Sequence, residues 1–339
     1  MSKTAGVRPG SNSAKANTAR SPQQPAPTAI NVLEPLPRKI DVPIIDAHCH
    51  ASFVRPTAMM IKAGSIFGTA CWVAIIRRQH LEQLRRRFGE RIVFNVWLDY
   101  THADDPRRFA RENVALIRQV ARQGARSIKF WYKPEFNHRT GFYFDDWRLD
   151  DIFRAMVDND LAGLVHIADP DVWYQRVYND PEKFEPKWAT YRQLTNTLGR
   201  FPNLRVLVAH MGGNPERLDH LDRLLSTYAN CCLDTSATKW VVRELSPKPA
   251  EAREFFLKWS HRLLFGTDLV ARKNEPLEHY ASRYWVHQFL YEQPGQIISP
   301  IPDNDANGPV CVRGLDLPGK VLERLYLRNA EKFFGIKLA

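Results

Sequence analysis

The stretch Ile44-Ile45-Asp46-Ala47-His48-Cys49-His50 joins an apolar run to two histidines one residue apart. An uninterrupted apolar run that begins at Val42 is typical of a buried strand, and polar residues at its carboxyl end are typical of a strand that opens onto a site. In an extended backbone, residues i and i+2 point to the same side, so His48 and His50 are predicted to lie side by side. Two neutral imidazoles placed in this way can bind one divalent ion, but they can equally be hydrogen-bonded inside a fold.

Three later apolar runs each end on a potential partner for this pair. The runs are Leu164-Val165-His166, Leu207-Val208-Ala209-His210 and Phe265-Gly266-Thr267-Asp268. The carboxyl ends of parallel barrel strands meet on one rim, where the chemistry of such folds takes place. We therefore expect all these side chains to lie near the first two histidines.

Short apolar runs alternate with longer helix-compatible segments along the rest of the chain, which predicts repeated strand-helix units around a parallel sheet. Most runs are continuous rather than alternating, as expected of strands that are covered on both faces. The eight candidate strands are 42–47, 70–75, 91–97, 126–131, 161–167, 204–209, 229–234 and 262–267. The predicted fold is a single (β/α)8 TIM barrel over residues 39–339, and the chain length of 339 residues suits one such domain.

Two segments depart from this repeat. Residues 1–38 are rich in Ser, Ala, Pro and Thr and have few large apolar side chains, so we expect a disordered, mildly basic tail. Residues 272–318 are long and rich in proline, and they follow the eighth candidate strand. We expect them to form an insertion on the active-site face, part of which covers the site.

Composition limits the class of protein and its partners. An apolar share of 44% with 25% charged residues is ordinary for a globular protein, and no apolar stretch is long enough to cross a membrane. Five cysteines without a Cys-x-x-Cys spacing argue against disulfides, so a cytoplasmic location with reduced thiols is expected. The net charge of +11 comes from basic residues spread along the chain, which favours a solvated basic surface; attraction of a small anionic substrate is the next interpretation, ahead of a nucleic-acid patch. The sequence is compatible with a homo-oligomer.

The motifs resemble those of the amidohydrolase superfamily, in particular the amidohydrolase-related branch of metal-dependent hydrolases and decarboxylases that includes aminocarboxymuconate semialdehyde decarboxylase. The resemblance covers roughly residues 42–339 and is specific for the superfamily, not for a substrate. The segments that carry it are Asp46-Ala47-His48-Cys49-His50, Ala209-His210-Met211-Gly212-Gly213, Leu233-Asp234-Thr235-Ser236, Leu264-Phe265-Gly266-Thr267-Asp268 and the ending Asn329-Ala330-Glu331-Lys332-Phe333-Phe334-Gly335.

The resemblance implies one divalent ion, most often zinc, with His48, His50, His166 and Asp268 as its ligands. Manganese and iron are alternatives. Three imidazoles and one carboxylate also suit a catalytic zinc on chemical grounds. His210 would then act as an acid, a base or an electrostatic stabiliser, and Asp268 would both bind the metal and take a proton from water.

Lys129, within Ser127-Ile128-Lys129-Phe130-Trp131, lies where related enzymes with two metals carry a carboxylated lysine. We favour a contact with a substrate anion over an ion pair that supports the site, and both over a metal bridge. Further polar residues near strand ends are candidates for substrate contacts, although a helix cap or a surface pair is the plainer interpretation of each. They are Asp169, Thr238, Lys239, Trp240 and Arg243.

Three functions follow as hypotheses. The first is hydrolysis of an ester, lactone or amide in a small anionic or aromatic substrate, by water that one divalent metal activates. The second keeps the site but changes the reaction to non-oxidative decarboxylation of an aromatic or unsaturated acid. The third is a non-catalytic binding protein on the same barrel.

Overall fold

The structure is a computed structural model and describes residues 30–338. Its main sheet contains nine parallel strands in the spatial order β8-β7-β6-β5-β4-β3-β2-β1-β9. The strands are β1 Ile44–His50, β2 Thr69–Ile76, β3 Ile92–Trp97, β4 Ser127–Trp131, β5 Ala162–His166, β6 Val206–Val208, β7 Cys231–Asp234, β8 Leu263–Leu264 and β9 Leu269–Val270. All eight predicted strands are present at their predicted places.

The barrel closes through its last two short strands. β8 pairs with β7, and β9 pairs with β1, so residues 263–270 together form the eighth strand of the barrel. Between them, the backbone N–H of Ala47 donates to the carbonyl of Phe265 at 2.8 Å, and that of Asp268 donates to the carbonyl of His48 at 2.7 Å. These bonds place Asp268 beside the histidines of β1, and they confirm the predicted (β/α)8 barrel.

Helices cover the outside of the sheet. In residues 30–338 they are α1 Val54–Ile66, α2 Leu81–Phe88, α3 Pro106–Arg122, α4 Pro134–Thr140, α5 Asp150–Asp158, α6 Asp171–Arg176, α7 Lys187–Arg200, α8 Leu218–Thr227, α9 Thr238–Leu245, α10 Pro249–Lys258, α11 Leu277–Glu292, α12 Gly319–Glu323 and α13 Asn329–Phe334. A π-helical turn joins α12 to α13. None of the helices in this range is long and apolar enough to cross a membrane.

A register shift in β1 gives its polar side chains different roles. Pairing with β2 shifts between Asp46 and Cys49. Asp46 is fully buried and accepts hydrogen bonds from the hydroxyl of Tyr284 on α11 at 2.8 Å and from the hydroxyl of Thr267 at 2.7 Å. It therefore connects β1 to the eighth strand and to the helix layer. His48, within the shift, and His50, beyond it, both face Asp268. A register shift of this kind, a β-bulge, changes the direction in which side chains near a site point.

Part of the predicted tail can be described. Residues 1–29 lie outside the described residues, whereas the backbone of Leu36 forms two hydrogen bonds with the side chain of Gln288 on α11. The compact unit begins at Val32, and the domain boundary at residue 38 stays a prediction.

The segment 272–318 begins with α11, which packs against α1 in the helix layer. Its second part contains the antiparallel pair β10 Gln296–Ile298 and β11 Cys311–Arg313. The bounds of the insertion stay a prediction.

Candidate metal centre and active site

Three of the predicted ligands converge on one point at the carboxyl end of the barrel. Asp268 Oδ1 lies 3.0 Å from His50 Nε2 and 3.3 Å from His48 Nε2. Their ligand atoms all lie within 4.8 Å of one another. His48 Nε2 is also buried, and it has no hydrogen-bond partner among the described residues. Two imidazole nitrogens and a carboxylate oxygen in this arrangement fit a divalent transition metal.

Asp234 at the end of β7 holds the other side of the His48 ring. The Nδ1–H of His48 donates to Asp234 Oδ2 at 2.8 Å, and both side chains are fully buried. Burial opposes the charge on Asp234, but His48 and His210 outweigh it and hold the pKa of this carboxyl well below its usual range. Burial and Lys129 likewise oppose protonation of His48, yet Asp234 and Asp268 raise its pKa. A carboxylate on the outer nitrogen is the usual support of a metal-binding histidine.

His166, the fourth predicted ligand, is not part of this group of three. Its Nε2–H donates to Asp169 Oδ1 at 2.9 Å, and its Nδ1 lies 3.2 Å from His210 Nε2. The ring faces the cavity, but its nearest histidine is His210. The assignment of His166 as a ligand therefore stays a prediction.

His210 lies beside the three converging side chains. Its ring stacks on that of His48 with 4.9 Å between the centroids, and its Nδ1 lies 2.7 Å from the Ser236 hydroxyl. The residue has a left-handed backbone, with φ of 59°, and its N–H donates to Asp234 Oδ1 at 2.9 Å. Burial lowers the pKa of His210 well below its ordinary value, so the ring is neutral at neutral pH.

Lys129 lies on β4 with only 2% of its surface exposed, and it faces the same cavity. Burial lowers its pKa to about 8, although Asp268 and Asp234 act in the opposite direction. A buried ammonium group needs a partner of opposite charge, and the open cavity is where a substrate anion would supply one.

The cavity above these residues has a volume of about 860 Å³. His50, His166, His210 and Asp268 line it, together with aromatic side chains that include Trp97, Trp131, Trp173 and Trp240. The Nε1–H of Trp173 donates to Asp305 Oδ2 at 3.1 Å, so the loop between β10 and β11 braces one wall. Of the further polar candidates, Asp169 and Trp240 line the cavity, whereas Thr238, Lys239 and Arg243 do not.

A model of the family described as Amidohydrolase matches residues 17–336. The chain belongs to this family. The match covers nearly the whole chain, and it supports an enzyme of this superfamily over the non-catalytic hypothesis. No curated protein matches the sequence.

Solved structures with the same fold include enzymes of several activities. One is 5-carboxyvanillate decarboxylase from Novosphingobium aromaticivorans, complexed with manganese and 4-hydroxy-3-methoxy-5-nitrobenzoic acid, at TM-score 0.55 and 14% identity over 91% of this chain and 100% of that one. A putative 2-pyrone-4,6-dicarboxylic acid hydrolase from Pseudomonas putida matches at TM-score 0.54 and 14% identity, over 88% of this chain and 100% of that one. The 5-carboxyvanillate decarboxylase from Sphingomonas paucimobilis matches at TM-score 0.51 and 15% identity, over 87% of this chain and 99% of that one.

Sequence reasoning missed the roles of two residues in this amidohydrolase. In the sequence, Asp234 and Ser236 stand out only as part of a segment that resembles the family, yet they hold His48 and His210. The sequence does contain a signal for Asp234, because this residue ends a buried apolar run, just as Asp268 follows the run predicted as the eighth strand. The same rule that identified Asp268 applies to it.

Proposed function

We propose that this amidohydrolase is a metal-dependent hydrolase that cleaves an ester, lactone or amide bond in a small substrate, anionic or aromatic. The observation that carries the proposal is the convergence of His48 Nε2 and His50 Nε2 on Asp268 Oδ1, at 3.3 and 3.0 Å, beneath an open cavity. An orphaned, buried imidazole nitrogen is costly unless a ligand occupies it.

His48, His50 and Asp268 would hold the ion, with His166 as the proposed fourth ligand. A divalent ion at this position supplies Lewis acidity, which lowers the pKa of water and polarises a carbonyl oxygen. Zinc is favoured because imidazole and carboxylate ligands with an open position are typical of catalytic zinc. Manganese and iron remain alternatives.

We expect two side chains to handle protons. Asp268 presents one carboxylate oxygen to the two histidines of β1, and it is held ionised because burial is outweighed by His210, His48 and His50, which lower its pKa well below the usual range. Asp268 would take a proton from the attacking water. This proton would then pass, directly or through His210, to the leaving oxygen or nitrogen, so that both side chains end in the state in which they began.

The cavity supports an aromatic or anionic substrate. Aromatic walls bind planar apolar groups, and the buried ammonium group of Lys129 at the same cavity offers a charge partner for a carboxylate.

Decarboxylation of an aromatic acid is the second candidate. The combination of aromatic walls with Lys129 favours it as well, since a carboxylated ring would place its acid group near that ammonium. In this reaction, His210 would first bind a proton from solvent and then deliver it to the carbon that carbon dioxide leaves, or water at the metal would supply that proton instead.

The test is a paired screen on the metal-reconstituted full chain. Lactones, esters and amides are assayed for acid release, and carboxylated phenols are assayed for carbon dioxide. Acid release that disappears in the His210→Ala variant is expected. Release of carbon dioxide alone would replace the hydrolase proposal by the decarboxylase, and inactivity in both arms with every metal would contradict both.

A further inference from the structure

We infer that Asp234 is the positioning residue that couples the metal-binding imidazole of His48 to the proton-handling His210. The inference rests on the proposed function, because it assigns these two histidines their roles. Asp234 lies on β7, between β6, which leads to His210, and β8, which leads to Asp268, and none of its surface is exposed.

Each carboxylate oxygen of Asp234 has a separate task. Oδ2 accepts from the ring Nδ1–H of His48 at 2.8 Å. Oδ1 accepts from the backbone N–H of His210 at 2.9 Å and from that of Ser236 at 3.0 Å. The Ser236 hydroxyl also donates to Oδ1. One carboxylate therefore accepts four hydrogen bonds, all of which end on the histidines or on the residue that holds them.

The bond to His48 decides which ring nitrogen is left for a metal. A carboxylate can only accept, so it requires the proton on His48 Nδ1 and leaves the lone pair for Nε2 in the neutral ring. Nε2 is the nitrogen that lies 3.3 Å from Asp268 and has no hydrogen-bond partner within residues 30–338.

The bond to His210 stabilises a backbone that few residues adopt. His210 and the next residue, Met211, have φ of 59° and 50°, a region that few residues other than glycine enter, although histidine does so more often than most. Asp234 Oδ1 fixes the first of these peptide groups, and Ser236, at 2.7 Å from His210 Nδ1, fixes the ring. The metal position and the proton donor are thus set by the same carboxylate.

The substitution Asp234→Asn turns one hydrogen-bond acceptor of the side chain into a donor and leaves the shape of the side chain almost unchanged. The amide oxygen must face the N–H of His210, because an NH₂ group there would set donor against donor. The NH₂ group is then left facing His48 Nδ1, which has to accept and to carry its proton on Nε2. The variant therefore blocks the nitrogen that the metal needs while it keeps the size of the side chain.

The experiment measures the Zn²⁺ dissociation constant of the full chain by competition with a chelating dye. Asp234→Asn is expected to weaken zinc binding about 10- to 100-fold. Asp303→Asn is the matched control, since Asp303 has a similarly buried side chain, at 2% exposure, but is paired with Arg243. It should bind zinc as the unaltered chain does.

The histidine ring ¹⁵N spectrum of the unaltered, metal-free chain gives a second readout that does not depend on a variant that folds. A protonated Nδ1 on His48, assigned by its loss in His48→Ala, is expected, and an unprotonated Nδ1 overturns the inference. Equal zinc affinity in Asp234→Asn and the unaltered chain overturns it too, and leaves the proposed function standing. If the unaltered chain binds none of zinc, manganese or iron, it is the proposed function that fails.

Discussion

At the scale of single residues, the site is defined by what holds the outer nitrogen of each histidine. Asp234 holds His48, Asp169 holds His166 at 2.9 Å, and Ser236 lies 2.7 Å from His210. The inner nitrogens are consequently directed towards the cavity or towards one another. Positioned rings of this kind need little reorganisation when a substrate or an ion arrives.

The role of His210 in proton transfer leads to a direct prediction. His210→Ala should lower kcat by about 10²- to 10⁴-fold, because a positioned acid or base contributes this much. Zinc affinity should change little, since His210 is not among the converging ligands. His220→Ala, which removes a histidine with 40% of its side chain exposed on α8, is the control and should leave kcat unaltered. A His210→Ala enzyme with full activity would exclude the role.

His287 gives a prediction for stability at acid pH. It is fully buried in α11, neither ring nitrogen has a partner within residues 30–338, and burial lowers its pKa from 6.5 to about 3. Between these pH values the unfolded chain binds a proton that the folded chain does not, so the free energy of unfolding falls as the pH falls. At pH 5 the loss is about 2 kcal/mol.

His287→Leu should remove this part of the pH dependence. Urea unfolding of both proteins at pH 7 and pH 5 measures it. The difference in unfolding free energy between the two pH values should be smaller in the variant. Equal differences would show that the ring is protonated, or solvated, in the folded state.

At the scale of elements, two loops at the carboxyl rim are in close backbone contact. The turn His210–Gly213 after β6 touches the backbone at Ala168, just after β5, and Gly213 has φ of 62°. A Cβ on Gly213 would lie 1.9 Å from the carbonyl oxygen of Ala168, a distance that only a movement of the backbone could relieve. The close approach keeps Asp169 and His210 in fixed relation.

Gly213→Ala should therefore cost about 3 kcal/mol in unfolding free energy, the sum of left-handed backbone strain and overpacking. Gly295→Ala is the matched control, because Gly295 has φ of 83° but a Cβ there would meet nothing within 4 Å. Its loss should be only about 1–2 kcal/mol. Thermal or urea unfolding measures both, and equal losses would show that the contact with Ala168 is unimportant.

At the scale of the whole molecule, the sequence predicts the barrel well because its strands are buried on both faces and read as continuous apolar runs. The rim residues follow, since each ends such a run. The interruption of the eighth strand was not predictable in this way. It depends on the left-handed backbone of Asp268, with φ of 59°, and on bonds that residues 265–268 form with β1.

Two further features required the tertiary structure. α11 is buried around most of its circumference, including Tyr280, Tyr284 and Trp285. Its sequence therefore lacks the polar face by which a surface helix is predicted. The role of Asp234 depends on hydrogen bonds to the side chain of His48, 186 residues away, and to the backbone N–H of His210, 24 residues away. No local pattern contains these pairings.

The most direct test of the central claim is the anomalous scattering of a crystal of the full chain grown with zinc or manganese. We predict one strong peak, at about 2.0–2.2 Å from His48 Nε2, His50 Nε2 and a carboxylate oxygen of Asp268 if the ion is zinc. Whether His166 is a ligand is decided by the same map. A pair of peaks bridged by a carboxylated Lys129 would make the site binuclear, and the absence of a peak at these three residues would contradict the account.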